Sequence, residues 1–349
     1  YDIEGRKFVA AWTGDGLAPV MSDIRQTNFI KLFTGGVYFL FGQSLLGAFL
    51  LCGLLALVGS YFWYRALACA LPNADRRLFL LCMMFAPSVV FWPSSLGKEA
   101  LMQLAIGAMA WATALLYTGQ VHRSLPLVAG GGWLLWVVRP HLLALVTVAA
   151  AVPYFVGHIR RGPGSSAVAR PVSMAVIGVL TVLTITSGAK FLGIEDLSID
   201  AVEAQLEHQS EQSLQGGSSF EGGSGSLNPV NLPYALVTVL FRPLPWEVRN
   251  AFQLLAALES MALIALIVHR FDSVRTGLQR WRKDPFFLYC IVLLVLFAMI
   301  YSSFANFGLL SRQRSLALPA LYVLIATAPR VVRRGEYVAD APEPARSGS

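Results

Sequence analysis

Seven basic residues stand near the ends of apolar segments, on the side that the loop charges below assign to the exterior of the cell. They are Lys98, Arg139, His141, Arg242, Arg249, Arg312 and Arg314. Cations that meet at the level of the lipid headgroups can bind a phosphate or pyrophosphate, and arginine offers it two parallel hydrogen bonds. The alternative is that each side chain extends separately to a lipid headgroup. The residues predicted to bind such a phosphate are Lys98, Arg139, Arg242, Arg312 and Arg314.

Four acidic residues in the first polar segment could supply a catalytic base: Asp2, Glu4, Asp15 and Asp23. An outward-facing carboxylate can take the proton of a sugar hydroxyl, or help to hold a divalent cation (Mg²⁺ or Mn²⁺) that is bound to phosphate. The alternative is that these acids form the solvated face of two short amphipathic helices. Asp2 and Glu4 are the preferred pair, because we expect a further helix to precede Tyr1 and to place them just beyond its end.

His141, in the sequence Arg139-Pro140-His141, is the third catalytic candidate. A lone histidine at a helix start can also be a cap or a hydrogen-bond partner, and both alternatives stay open. Glu99 follows Lys98 directly, so we expect it to be the charge partner of Lys98 or the acidic residue of a first helical turn.

Sequence motifs of soluble enzymes are absent from the chain. There is no phosphate-binding P-loop, no dinucleotide-binding glycine motif, no nucleophile elbow and no His-Glu-x-x-His zinc motif. The four cysteines lie in or beside apolar runs and are expected to be small core residues. The net charge of +7 comes from Lys and Arg residues scattered between apolar runs, which argues against a nucleic-acid partner.

The elements that must position these residues are membrane helices. Of the 349 residues 56% are hydrophobic and only 13% are charged, whereas soluble domains carry roughly twice that charge. Apolar runs near the spanning length of about 20 residues recur, and in a bilayer such runs must be helical. We therefore predict an all-α bundle with about eight or nine spans. The runs cover about 36–64, 78–92, 99–118, 124–138, 141–158, 171–190, 250–269, 286–304 and 314–329.

The orientation follows from the basic loops, since short cytoplasmic loops carry an excess of Lys and Arg. Successive basic clusters are separated by an even number of predicted spans, so all of them fit the cytoplasmic side. These clusters lie at residues 65–77, 160–170, 270–283 and 330–334. The exterior then holds residues 1–34, 93–99, 139–141, 191–249 and 305–314.

Five regions follow from this pattern. They are an external segment with amphipathic helices (1–34), the N-terminal membrane helices (35–190), a long external loop or lid (191–249), the C-terminal membrane helices (250–330) and a disordered cytoplasmic tail (331–349). Within the loop, Asp200 and Glu203 have the spacing of a helix cap, and residues 215–226 are rich in Gly and Ser. Gly130, Gly131 and Gly132 are expected to let two helices pack closely.

Three short motifs resemble bacterial polytopic membrane glycosyltransferases. They are the run from Phe85 to Glu99 (Phe-Ala-Pro-Ser-Val-Val-Phe-Trp-Pro-Ser-Ser-Leu-Gly-Lys-Glu), Arg139-Pro140-His141, and Arg312-Gln313-Arg314 followed by Pro319. The resemblance is to the GT-C superfamily and to the O-antigen and exopolysaccharide polymerases of the EpsG type, over about residues 1–330. It implies a membrane fold that takes a polyprenyl-phosphate-linked sugar on the outer face. Basic residues would hold the lipid phosphate, and Asp2 matches the acid of the first external loop.

The sequence thus predicts a multi-pass plasma-membrane protein whose partners are membrane lipids and a polyprenyl-phosphate-linked sugar. Its leading predicted function is glycosyl transfer or polymerisation on the outer face. Two alternatives stay open: a flippase or transporter of lipid-linked saccharides, which should carry charges midway through its spans, and a membrane scaffold without chemistry.

Overall fold

The computed structural model describes residues 1–156 and 228–327, apart from 18, 20, 22, 280, 282 and 283, with a few scattered residues between 175 and 220. In this part of the chain every regular element is helical. Most of the predicted span 171–190 and of the Gly/Ser-rich stretch 215–226 lies outside the described residues, as do the basic cluster at 160–170, the cap at Asp200 and Glu203 and the tail 331–349.

Eight helices form the N-terminal part: α1 (Asp2–Thr13), α2 (Gln26–Phe41), α3 (Leu45–Ala70), α4 (Arg76–Phe85), α5 (Pro87–Phe91), α6 (Glu99–Tyr117), α7 (Val121–Val138) and α8 (Pro140–Phe155). Five follow in the described C-terminal part: α9 (Leu232–Phe241), α10 (Ala251–His269), α11 (Phe271–Gln279), α12 (Pro285–Tyr301) and α13 (Phe307–Ile325). Short 3₁₀ turns precede α9 (Pro229–Asn231) and α10 (Pro245–Glu247).

Helix α6 is the centre of the N-terminal bundle, because α3 and α7 pack along it and nearly all of its side chains are buried. Its contact with α3 is made by glycines. A Cβ added to Gly59 would lie 2.4 Å from the carbonyl oxygen of Gln103, and one added to Gly107 would lie 2.2 Å from that of Gly59. On the α7 side, a Cβ on Gly131 would come within 3.1 Å of Ala105. Small residues therefore let these backbones approach closely.

The C-terminal helices form a second packing group around α12 and α13. Helix α12 packs against α8, α9 and α13, while α13 also contacts α4, α5, α6 and α10. Nearly every side chain of α13 is buried. Helix α13 therefore contacts most of the other described helices.

Three of the described helices, α3, α6 and α10, are long and apolar enough to cross a membrane. Helices α8, α9 and α12 are apolar but shorter. An exposed apolar stripe runs along α3 through Leu46, Leu50, Leu54, Leu57 and Tyr61. A spacing of three to four residues places such side chains on one helix face, and lipid is the solvent that suits this face. The predicted total of eight or nine spans stays a prediction.

Two predicted spans are interrupted. The run 36–64 contains the end of α2 and the start of α3, because Gly42 adopts a positive φ of 86° and the Ser44 side chain caps α3. The run 78–92 is split into α4 and α5 at Pro87, since proline has no N–H and forces the preceding residue, Ala86, out of the helical region.

The break predicted at Arg139-Pro140 is confirmed. Arg139 has φ −148° and ψ 82°, and Pro140 begins α8 at a position where its missing N–H is not needed. The predicted external loop (191–249) is described only in part. Its described part contains α9, which packs against α12 and buries Ala235, Val239 and Leu240.

Candidate functional site

Glu99 is the centre of a charged cluster at one end of the helix bundle. It is the first residue of α6 and is completely buried. Its Oε1 accepts a hydrogen bond of 2.8 Å from Nη2 of Arg139, and its Oε2 accepts one of 2.5 Å from Nη2 of Arg312. Glu99 is thus the acidic residue of a first helical turn, as predicted, but its charge partners are two arginines from distant parts of the chain.

Each member of this cluster is placed by a helix end. Lys98 is the residue before α6, Arg139 occupies the break between α7 and α8, and Arg312 lies in the second turn of α13. Nη1 of Arg139 also donates a 2.6 Å hydrogen bond to Oε1 of Gln313. Three predicted phosphate-binding residues therefore gather around one carboxylate, and we call Lys98, Glu99, Arg139 and Arg312 the Glu99 cluster.

The Glu99 cluster carries more positive than negative charge. Three cations surround one carboxylate, so the sum of the formal charges is +2. In the described part of the chain Lys98 forms no ion pair, and Nε of Arg312 has no hydrogen-bond partner. Burial lowers the pKa of the Lys98 ammonium, and the neighbouring charge of Arg139 lowers it further. An anion placed here would relieve the repulsion between the cations and accept hydrogen bonds from Lys98 and Arg312.

The two arginines differ in how accessible they are. The side chain of Arg139 is 11% exposed, whereas that of Arg312 is 32% exposed. Gly97 lies close to the pair, since a Cβ at this position would be 3.2 Å from Nη2 of Arg312 and 3.0 Å from Oε2 of Glu99. Glycine at position 97 therefore keeps the approach to Arg312 open.

His141 lies two residues after Arg139, in the first turn of α8. Its Nε2 is 3.2 Å from the hydroxyl oxygen of Tyr301 at the end of α12. This contact joins the start of α8 to the end of α12. The structure thus gives His141 a hydrogen-bond partner, which matches the non-catalytic alternative, while its predicted catalytic role is not tested.

Asp2 and Glu4 lie on α1, which packs against α2. Asp2 accepts a 2.5 Å hydrogen bond from the Tyr38 hydroxyl and a 3.1 Å bond from Nε of Arg6. These two hydrogen bonds, with that of Tyr38 the stronger cause, lower the pKa of Asp2. Glu4 pairs with Lys7 at 2.8 Å, and this bond lowers the pKa of Glu4.

The position of Asp2 relative to the Glu99 cluster follows from a small apolar contact. Tyr38, the partner of Asp2, packs with Val9 and Val37 into a group that Leu96 joins. Leu96 is two residues before Lys98, so α1, α2 and the turn that carries Lys98 lie together at the same end of the molecule.

Arg314 belongs to a different cluster from Arg312. Its Nη2 donates a 2.8 Å hydrogen bond to Oε2 of Glu259, and its Nη1 donates to Ser260 at 2.7 Å and to the carbonyl of Leu240 at 3.3 Å. The other oxygen of Glu259 accepts from the backbone and the hydroxyl of Ser88, at 3.1 and 2.8 Å. A cavity of about 260 Å³ between α5, α10 and α13 borders this pair.

Arg242 is also held apart from the Glu99 cluster. Its guanidinium forms an ion pair with Glu247, with an Nε contact of 2.8 Å, and stacks 4.0 Å above the ring of Phe220. Glu247 additionally accepts a 2.8 Å bond from the backbone of Leu244. Of the five predicted phosphate-binding residues, three therefore lie together around Glu99. Each of the other two pairs with a different carboxylate.

Sequence reasoning missed two functional candidates, Glu259 and Gln313. Glu259 is a lone acid in the middle of an otherwise apolar 19-residue helix, and a buried charge of this kind needs a cation partner. That signal was present in the sequence. Gln313 was visible only as the middle residue of Arg-Gln-Arg, and its contact with Arg139 spans 174 positions.

Comparison with known proteins adds no assignment, since no family model, no curated protein and no solved structure matches this chain. Within the described residues, no three His, Cys, Asp or Glu side chains come together as a group that could hold a metal ion.

Proposed function

We propose that this chain is a multi-pass plasma-membrane glycosyltransferase or polysaccharide polymerase, which takes its sugar from a polyprenyl-(pyro)phosphate donor on the outer face. The observation that carries the proposal is the excess of two positive charges in the Glu99 cluster. A leaving group that departs as a phosphate anion needs such a fixed positive environment, and fixed charges of this kind supply much of an enzyme's rate.

The roles of the residues follow from their contacts. Lys98, Arg139 and Arg312 bind the donor phosphate, and Glu99 positions the two arginines by holding one Nη2 of each. The side chain of Arg312 is 32% exposed, so part of its guanidinium stays accessible to the ligand. As the bond between the anomeric carbon and the phosphate oxygen breaks, its electron pair stays with the phosphate, where these cations stabilise it.

Asp2 is the proposed base for the acceptor hydroxyl. The hydroxyl oxygen forms the new bond to the anomeric carbon, and its proton passes to the Asp2 carboxylate. The hydrogen bonds from Tyr38 and Arg6 fix the direction of this carboxylate and keep it ionised, and by lowering its pKa they also make it a weaker base. Each acid has a cationic partner, Arg6 for Asp2 and Lys7 for Glu4, and of the two it is Asp2 that also accepts a hydrogen bond from a tyrosine on a neighbouring helix.

The decisive experiment measures polyprenyl phosphate itself, so that the identity of the sugar does not matter. Arg139→Gln and Arg312→Gln should each bind polyprenyl phosphate about tenfold more weakly in native mass spectrometry, because each loses a charge-assisted hydrogen bond. With polyprenyl-phosphate-linked and polyprenyl-pyrophosphate-linked hexoses in proteoliposomes, turnover should fall about a hundredfold. The matched control is Arg77→Gln, an exposed arginine of α4. Unchanged binding and turnover in both variants would refute the proposal.

A second experiment tests the base. Asp2→Asn should lower turnover by roughly two orders of magnitude or more, since the proton of the acceptor then has no carboxylate to accept it. Affinity for polyprenyl phosphate should not change. Glu4→Gln is the matched control and should keep nearly full turnover. Equal turnover in the two variants would remove Asp2 from the mechanism without affecting the assignment of the phosphate site.

One observation favours the alternative of a flippase or transporter for lipid-linked saccharides. Glu259 and Arg314 form an ion pair midway along α10, one of the helices able to cross a membrane. Charges at such depth mark the pathway of a substrate or ion in many transporters. A transporter would move a fluorescent polyprenyl-linked saccharide across proteoliposomes without forming a new glycosidic bond, and Glu259→Gln would stop this movement while Arg312→Gln would not.

A further inference from the structure

A second group of arginines lies at the end of the bundle opposite Glu99. Arg65 of α3 and Arg123 of α7 line a cavity of about 630 Å³ that is closed on its third side by α6. Glu99 begins α6, whereas Trp111 and Leu115 of the cavity wall lie near its last turn. At 1.5 Å per residue, about 24 Å separates Leu115 from Glu99 along the helix axis. This cavity is therefore distinct from the Glu99 cluster.

The charge of this cavity is not balanced by protein acids. In the described part of the chain neither Arg65 nor Arg123 forms an ion pair, which sets them apart from Arg139, Arg242, Arg312 and Arg314. Their hydrogen bonds go to neutral groups. Nη1 of Arg65 donates to the Tyr61 hydroxyl at 2.9 Å, and Nη1 of Arg123 donates to Oε1 of Gln120 at 3.0 Å.

The cavity has basic side chains at its rim and apolar side chains along its wall. The guanidinium of Arg65 lies 4.7 Å above the ring of Trp111, which holds it in place. Arg65 is five residues before the end of α3, so it lies about 8 Å below that end. Arg123 is in the first turn of α7, level with the loop that joins α6 to α7. Leu115 and Leu127 form the apolar part of the cavity wall. The polar rim and apolar wall match the headgroup and upper chain of one lipid.

We infer that this cavity binds an anionic phospholipid of the adjacent leaflet, with the lipid phosphate between Arg65 and Arg123 and the acyl chains against Leu115 and Leu127. Basic pockets between membrane helices are a recurrent form of anionic-lipid site. The inference does not rest on the proposed glycosyltransferase function, because no residue of the Glu99 cluster takes part.

The test compares lipids on the purified chain. Native mass spectrometry with phosphatidylglycerol and with phosphatidylcholine should show preferential retention of phosphatidylglycerol. Arg65→Gln and Arg123→Gln should each weaken this retention roughly fivefold, and the double variant roughly thirtyfold, since each arginine near the membrane surface contributes a similar increment. Arg77→Gln is the matched control and should retain the lipid like the unaltered protein.

A competition experiment distinguishes a lipid site from a site for a free phosphate ion. Inorganic phosphate at millimolar concentration should not displace phosphatidylglycerol, because it lacks the acyl chains that contact the apolar wall. Displacement by inorganic phosphate would show a site for a free anion and would overturn the lipid assignment. Equal retention of the two lipids, or unaltered retention in the folded double variant, would also overturn it. Binding of polyprenyl phosphate at the Glu99 cluster should be unchanged in the double variant.

Discussion

Two arginine–carboxylate clusters begin two positions apart on α13, each around a buried carboxylate, and they differ in charge. Arg312 faces Glu99, whereas Arg314 faces Glu259. Residues two positions apart on a helix are about 200° apart around its axis, so the two guanidinium groups must point to opposite sides. The Glu259 pair is neutral, while the Glu99 cluster has two excess positive charges.

The surroundings of the two carboxylates explain what each cluster can do. Arg314 is 1% exposed and Glu259 is 7% exposed, and both oxygens of Glu259 already accept hydrogen bonds. Arg312 is 32% exposed. A neutral and buried pair, in which both carboxylate oxygens accept hydrogen bonds, can join α5, α10 and α13 but offers no excess charge to an anionic ligand. This holds although, within the described residues, Nε of Arg314 has no hydrogen-bond partner, as is also true of Nε of Arg312. A cationic cluster with an accessible arginine can bind an anion. The charge balance, rather than the presence of arginine, separates the two.

The largest expected effect is on stability at the Glu259 pair. Arg314→Met should lower the free energy of unfolding by about 3–5 kcal/mol, because it leaves the buried Glu259 without its cation. Arg312→Met should cost less, since Glu99 keeps Arg139. Thermal unfolding in detergent measures both. The double variant Glu259→Gln with Arg314→Met should recover part of the loss, and equal unfolding temperatures for Arg314→Met and Arg312→Met would contradict the comparison.

A smaller effect is expected when the carboxylate of the Glu99 cluster is neutralised. Glu99→Gln keeps the shape of the side chain but raises the excess charge, so polyprenyl phosphate should bind roughly tenfold more tightly as a repulsive carboxylate is removed. Stability should fall by about 1–3 kcal/mol, because two arginines lose a charged acceptor. In the folded fraction of Glu259→Gln the same affinity should stay unchanged. Weaker binding by Glu99→Gln would mean that the positioning of Arg139 and Arg312 by the carboxylate contributes more to affinity than the excess positive charge does.

The parts of this comparison that the sequence predicted are those governed by local chemistry. Pro140 ends α7 and starts α8 whatever the surroundings, so the position of Arg139 at a helix break followed from two residues. Lys98, Arg139 and Arg312 were predicted to share one face of the membrane from the charges of the loops, and the structure places these three together. The predicted inclusion of Arg314 ignored the helical angle between positions 312 and 314.

The remaining features depend on contacts between distant positions. Glu99 meets Arg139 over 40 positions and Arg312 over 213, and no local pattern encodes which of several cations a buried acid will choose. The same holds for Ser88 and Glu259, which are 171 positions apart. The split of the run 78–92 at Pro87 was encoded locally. The length and apolar character of the run outweighed that proline in the prediction.

The smallest expected effect is the change in polyprenyl phosphate affinity when Lys98 loses its proton at high pH. Burial and the charge of Arg139 lower the pKa of this ammonium below its usual value of 10.5, so Lys98 loses its charge at a lower pH than an exposed lysine does. The phosphate is fully ionised above about pH 7 and does not change in this range. Affinity for polyprenyl phosphate should therefore decline roughly fivefold as the pH rises through the pKa of Lys98, because one cation is lost. Lys98→Arg stays charged and should show a flat profile. The free energy of unfolding changes with pH in the opposite direction. Between the pKa of Lys98 in the folded protein and its higher pKa in the unfolded chain, the unfolded chain binds more protons. Stability therefore rises with pH in that window. An identical decline in Lys98→Arg would assign the titration to another group and leave Lys98 outside the phosphate site.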